Sequence, residues 1–178
     1  MVIVAGKISW LESGLVILGA SGPTALTIDR LVAETGVSTG SFYHHFRGMQ
    51  GYKAALLEHF ESVHTTHYIQ EVEATAGLDA RGRLELLVDL VLDSDEPANI
   101  ELAISAWALS EPLAAAAKQR VDKTRVDFLH GLLLQGGCTE DDARATAGIL
   151  YLMVLGAASM RPAMPPEELR ALCERVLP

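Results

Sequence analysis

The stretch T-I-D-R-L-V-A-E-T-G-V-S-T-G-S-F-Y-H-H-F, Thr27 to Phe46, decides the fold. Thr27 can accept hydrogen bonds from the free amides that open a helix, and Asp29 suits the positive end of the helix dipole. Ile28, Leu31 and Val32 then fall on one inward side, and Gly36 ends the helix with a residue free to take a positive φ. Ser38 caps a second helix, whose Phe42 and Phe46 lie one turn apart. Ala33 is expected to let the two helices approach closely, with Val37 and Phe42 filling the wedge between them. A short support helix, a tight turn and a second helix follow the plan of a helix-turn-helix. Its outer face would carry Ser38, Thr39, Ser41, Tyr43, His44 and His45, short hydrogen-bonding groups and aromatics able to reach bases and phosphates. Gly40 removes a side chain where such a helix would meet a duplex. Ordinary helical pairs share this spacing, so the pattern alone also admits a plain structural reading.

The same helical period runs through the rest of the chain. Upstream, Ile8, Leu11, Leu15 and Leu18 form an apolar face that Ser21, Gly22 and Pro23 close. Downstream of Gly48 comes a longer helix, about Gln50 to Glu73, with Leu56, Leu57, Phe60, Val63 and His64 on one side. Further helices are expected from about Arg81 to Leu92, from Pro97, and from Pro112 to a stop at Gly136 and Gly137. Thr139 with Asp142 resembles a capping box opening a helix to about Met160, and Glu167 to Leu177 form the last helix. The expectation is an all-α chain of about nine helices. Residues 1–48 would form a three-helix DNA-binding domain and residues 49–178 a helical ligand-binding and dimerisation domain.

Charge is divided unevenly. The 178 residues carry a net charge of −9, which argues against a generic nucleic-acid binder. Yet residues 1–53 hold four basic and three acidic residues, so the acidity lies almost wholly downstream. Cys138 and Cys173 form neither a CxxC pair nor a disulfide framework, which suits a reducing, cytoplasmic setting. Glu12 interrupts the early apolar residues against a secretory signal, and the run from Ile149 to Met160 is short of the roughly 20 residues of a spanning helix.

The residues from Thr27 to Phe46 closely resemble the DNA-binding signature of the TetR family of bacterial regulators. That resemblance implies a homodimer that binds a palindromic operator in double-stranded DNA and is released by a small-molecule effector. It implies that Thr27 holds a phosphate, that Ser38, Thr39 and Ser41 sit at bases or backbone, that Tyr43 and His44 grip phosphates, and that His45 lies near the groove edge. Phe42 and Phe46 match core positions. The family usually carries a lysine three residues after the closing phenylalanine, where this chain has Met49; Arg47 or Lys53 could supply the missing contact.

The sensing half is less legible. Trp107, Leu109, Phe128, Leu132 and Tyr151, with His64, His67 and Tyr68, are candidates to line an effector cavity, though an apolar residue at helical spacing is more often plain core. His64 and His67 lie about one turn apart, near enough to share a metal, but no third ligand is evident at a helpful spacing, so no metal or cofactor is expected. Ala143, Ala147, Leu150, Val154 and Ala158, with Leu169, Leu172 and Val176, could pack two subunits into a four-helix bundle, or pack only within their own subunit. An enzyme is not expected, since no nucleophile elbow, phosphate-cradling glycine loop, HExxH or isolated carboxylate pair is present. The remaining alternative is a TetR-like fold that has lost its operator and serves as an adaptor.

Overall fold

The computed structural model describes residues 6–92 and 99–178, and every regular element among them is helical. In chain order these are α1 (Lys7–Ser21), α2 (Ile28–Thr35), α3 (Thr39–Phe46), α4 (Met49–Glu61), α5 (His67–Ala74), α6 (Ala80–Leu92), α7 (Asn99–Ala108), α8 (Pro112–Gln135), α9 (Glu140–Ser159) and α10 (Pro166–Val176). A π-turn, Ser62–Thr66, joins α4 to α5, so the long helix expected from Gln50 to Glu73 forms with this irregularity inside it. The expected helix start at Pro97 lies outside the described residues. Local capping accounts for several boundaries. Thr27, Ser38 and Thr139 each accept from the amide three residues on, at 3.3, 3.4 and 3.2 Å.

The described residues fall into two compact units, one within Met1–Ser62 and Pro97–Lys118, the other within Val63–Glu96 and Gln119–Pro178. The unit that holds the helix-turn-helix thus extends past residue 48 to take in α4, α7 and the start of α8.

In the first unit, Trp10, Leu11, Leu15 and Leu18 of α1 are buried, as are Leu31, Phe42, Phe46, Tyr52, Leu56 and Phe60. Four rings form its centre. Phe42 lies 5.5 Å from Trp10, 5.3 Å from Phe46 and 5.4 Å from Tyr52, and Phe46 meets Tyr52 edge-on at 4.9 Å. Ile8, expected on the inner face, is exposed; Trp10, two residues further on, is fully buried instead. Tyr52 is fully buried, and its hydroxyl donates to the Trp10 carbonyl at 2.8 Å. Gly14 makes that bond possible, because a Cβ there would lie 1.8 Å from Tyr52 Oη.

The core of the second unit joins Val72, Leu84, Leu132 and Leu133 to Ala143, Ala147 and Leu150 of α9 and to Leu169, Cys173 and Leu177. Ala143, Ala147, Leu150 and Leu169 therefore pack inside their own chain, the second of the two readings open for this stripe. Cys173 is buried, and the buried surroundings, followed by the Glu174 charge, push its thiol pKa up. No helix among the described residues is long and apolar enough to cross a membrane.

Burial holds the Tyr52 phenol well above the ordinary tyrosine range, so above about pH 10 the unfolded chain ionises while the folded one keeps its proton. Stability is then full below that pH and is lost as pH rises through it. Tyr52→Phe should cost about 1 kcal/mol in chemical denaturation. Gly14→Ala should cost about 1 to 3 kcal/mol by overpacking, and less in the Tyr52→Phe background, where the clashing oxygen is gone. Additive costs would break the link drawn between these two residues.

Candidate nucleic-acid interface

The turn between α2 and α3 is closed by short local bonds. Gly36 takes φ 69° and donates its amide to Val32 O at 2.9 Å. The Thr35 hydroxyl donates to Leu31 O at 2.8 Å and accepts from Val37 N at 3.3 Å. Ala33, expected at the contact between the helices, is exposed instead. The inward positions of α2 are Ile28, Leu31, Val32 and Thr35, and Ala33 is on the opposite side with Asp29, Arg30 and Glu34.

With Phe42 and Phe46 buried, the orientation of α3 is set and its other face turns outward. Ser38, Thr39, Gly40, Tyr43 and His44 are exposed, whereas Ser41 and His45 are half-buried, and Thr27 is exposed at the start of α2. Tyr43 stands edge-on to Phe42 at 5.7 Å, and His44 lies 5.3 Å from His45. A Cβ at Gly40 would have no neighbour nearer than Ser38 Oγ at 3.8 Å, so nothing inside the chain requires glycine there. Gly51 is different. A Cβ there would lie 2.1 Å from the Phe46 carbonyl oxygen, so its missing side chain brings the start of α4 directly against the end of α3. Spacing offers no signal for this contact, and the sequence reading passed over it.

The exposed cations of this unit are Lys7, Arg30 and Arg47, and none of the three has a carboxylate partner among the described residues. Arg47 caps α3 at φ 58°, a left-handed conformation that costs an arginine about 1 kcal/mol or more. Lys53 differs from these three in having a carboxylate partner. Its ammonium is held by Glu111 Oε2 at 2.9 Å and lies 5.7 Å over the Trp107 ring, so it is engaged within the protein.

The other candidate residues do not form one set. Trp107 is core in the first unit, 3% exposed. In the second unit, His67 is exposed and faces Glu71 at 3.5 Å, on the outside of α5. His64, Tyr68, Phe128 and Tyr151 are half-buried. Tyr151 Oη donates to Asp122 at 2.5 Å, and Arg125 donates to Thr65 Oγ1 at 2.9 Å and to the His64 carbonyl at 3.1 Å. Asp122 and Arg125 lie one turn apart on α8, but their partners come from other elements, so their spacing gave no signal of these contacts.

Residues 11–60, spanning α1 to most of α4, match the family model of bacterial regulatory proteins, tetR family. These residues thus carry the N-terminal domain of that family. No curated protein matches the chain. Its TetR fold is shared with a TetR transcriptional regulator from Legionella pneumophila, at TM-score 0.83 and 14% identity over 100% of both chains. It is also shared with the reduced form of NemR from E. coli, at TM-score 0.80 and 20% identity over 96% of this chain and 97% of that one. A TetR transcription regulator from Haloarcula marismortui aligns at TM-score 0.77 and 21% identity, over 96% and 95%.

Ser38→Ala removes the cap of α3 and should cost about 1 kcal/mol of stability, measured by denaturant unfolding. A cost near zero would mean that the hydroxyl does not hold the helix start.

Proposed function

We propose that this TetR-family protein is a cytoplasmic transcriptional repressor that binds a palindromic operator as a homodimer and is released by a small molecule. The observation that carries the reading is the outer face of α3, where Thr39, Gly40, Tyr43 and His44 are exposed above a core of aromatic rings. Thr39 and Ser41 would meet bases or backbone, Tyr43 and His44 phosphates, His45 the groove edge, and Thr27 and Ser38 the phosphates at the helix starts. Arg47 would replace the cation absent at Met49. Its unfavourable backbone conformation fits a residue retained for contact and not for stability.

Two such helices must sit about 34 to 36 Å apart to enter successive major grooves, so the reading needs a dimer. The apolar surface best suited to it is the open side of α9. Ile149, Leu152 and Gly156 share one face, 47% and 67% exposed for the two large side chains, and Leu172 of α10 is 37% exposed. A Cβ at Gly148 or Gly156 would meet nothing, which permits close approach of a second helix. The effector would bind in the second unit, where Asp122 with Tyr151 and Arg125 with Thr65 and the His64 carbonyl supply polar groups, and where Tyr68 and Phe128 are also half-buried. The two units would correspond loosely to the DNA-binding and sensing domains.

A mobility-shift titration with DNA from immediately upstream of the gene tests this reading. A specific shift is expected, with a log–log salt slope no steeper than about −5, since the dimer offers six unpaired cations from Lys7, Arg30 and Arg47. Failure to shift at any salt, with the protein dimeric, would favour the adaptor reading. Gly40→Ala should raise stability by up to about 1 kcal/mol yet weaken operator binding about tenfold. Unchanged binding would remove Gly40 from the interface. Leu152→Glu should convert the dimer to a folded monomer in sedimentation; a persisting dimer would place the interface elsewhere.

A further inference from the structure

We infer that Glu111 competes with DNA phosphate for Lys53, so that this ion pair gates the affinity of the protein for DNA. The inference rests on the DNA-binding reading above. Lys53 is the only lysine or arginine in α4, and it sits on the second turn of that helix, whose start touches the end of α3 at Gly51 and Phe46. Lys53 is thus two residues beyond the glycine at which α4 meets the end of the exposed helix. That cation is already engaged: Nζ lies 2.9 Å from Glu111 Oε2 and 5.7 Å over the Trp107 ring.

Three features make the engagement exchangeable. The two side chains remain 23% and 24% exposed, and an ion pair open to water contributes little net stability. The lysine stem is long and flexible, so its ammonium can move without moving α4. Glu111 would not be stranded when Lys53 leaves. It immediately precedes Pro112, and its carbonyl accepts from Ala115 N at 3.0 Å, so Glu111 is the residue that opens α8, where the helix dipole favours a negative charge. Releasing Lys53 to a phosphate then exchanges one anion partner for another, and the carboxylate retains a favourable site. A companion pair, Lys118 with Glu101 at 3.4 Å, neutralises a second cation of the same unit from α7.

The test uses the full-length protein, a double-stranded fragment from upstream of its gene and a duplex of unrelated sequence, titrated across salt. Glu111→Gln should bind both duplexes about tenfold tighter at low salt and steepen the log–log slope by about 0.9 per released lysine, up to two per dimer. Adding Lys53→Gln should return the slope to that of the unaltered protein. Glu111→Asp, with the carboxylate drawn back by one methylene, should fall between; it decides the matter if Glu111→Gln melts below the assay temperature. Weaker binding or an unchanged slope in a folded Glu111 variant would overturn the gate and leave the pair as a tie between α4 and the start of α8. DNA binding by Glu111→Gln but not by the unaltered protein would support the gate in its strongest form. If neither binds, both the gate and the DNA-binding reading fall; if only the gate fails, the unaltered protein still shifts DNA.

Discussion

The first unit depends on one buried phenol. Tyr52 reaches from α4 to the Trp10 carbonyl of α1, and it can do so only because Gly14 has no side chain. A buried hydroxyl left without a partner would cost more than the bond itself contributes, so the bond fixes where Tyr52, and with it α4, packs against α1. Once it forms, Tyr52 supplies a wall for Phe42 and Phe46, and those two rings determine which face of α3 is turned away from the core. The outward position of Thr39, Tyr43 and His44 is thus a consequence of a contact made on the other side of the domain.

The link from α4 to α3 is equally tight. With the Phe46 carbonyl lying where a Gly51 side chain would be, the start of α4 cannot shift without moving the end of α3. Close-packed elements of this kind transmit displacement, because there is no void to absorb it. Lys53 lies two residues beyond Gly51, and its partner Glu111 comes from the turn between α7 and α8, so charge and packing converge on the same short stretch of α4.

Charge in this unit is arranged by sign as much as by amount. Lys7, Arg30 and Arg47 are exposed and unpaired by carboxylates among the described residues, whereas Lys53 and Lys118 are neutralised by Glu111 and Glu101. A net charge close to zero over residues 1–53 therefore conceals a division between cations without a carboxylate partner and Lys53, which has one.

Residue order determined whatever depends on neighbours within about one helical turn. The caps at Thr27, Ser38 and Thr139, the left-handed stop at Gly36 and the burial of Phe42 and Phe46 were all legible, because a side chain and the amide three residues on are held together by the helix itself. Tertiary structure decided what joins distant segments: Tyr52 to Trp10, Lys53 to Glu111, and Arg125 to the π-turn. It also decided which side of a helix is used. Ala143, Ala147 and Leu150 on one side of α9 and Ile149 and Leu152 on another are both apolar by sequence, and only packing against α10 shows which side is already filled. Periodicity reveals that a helix has an apolar face but carries no information about the element that covers it.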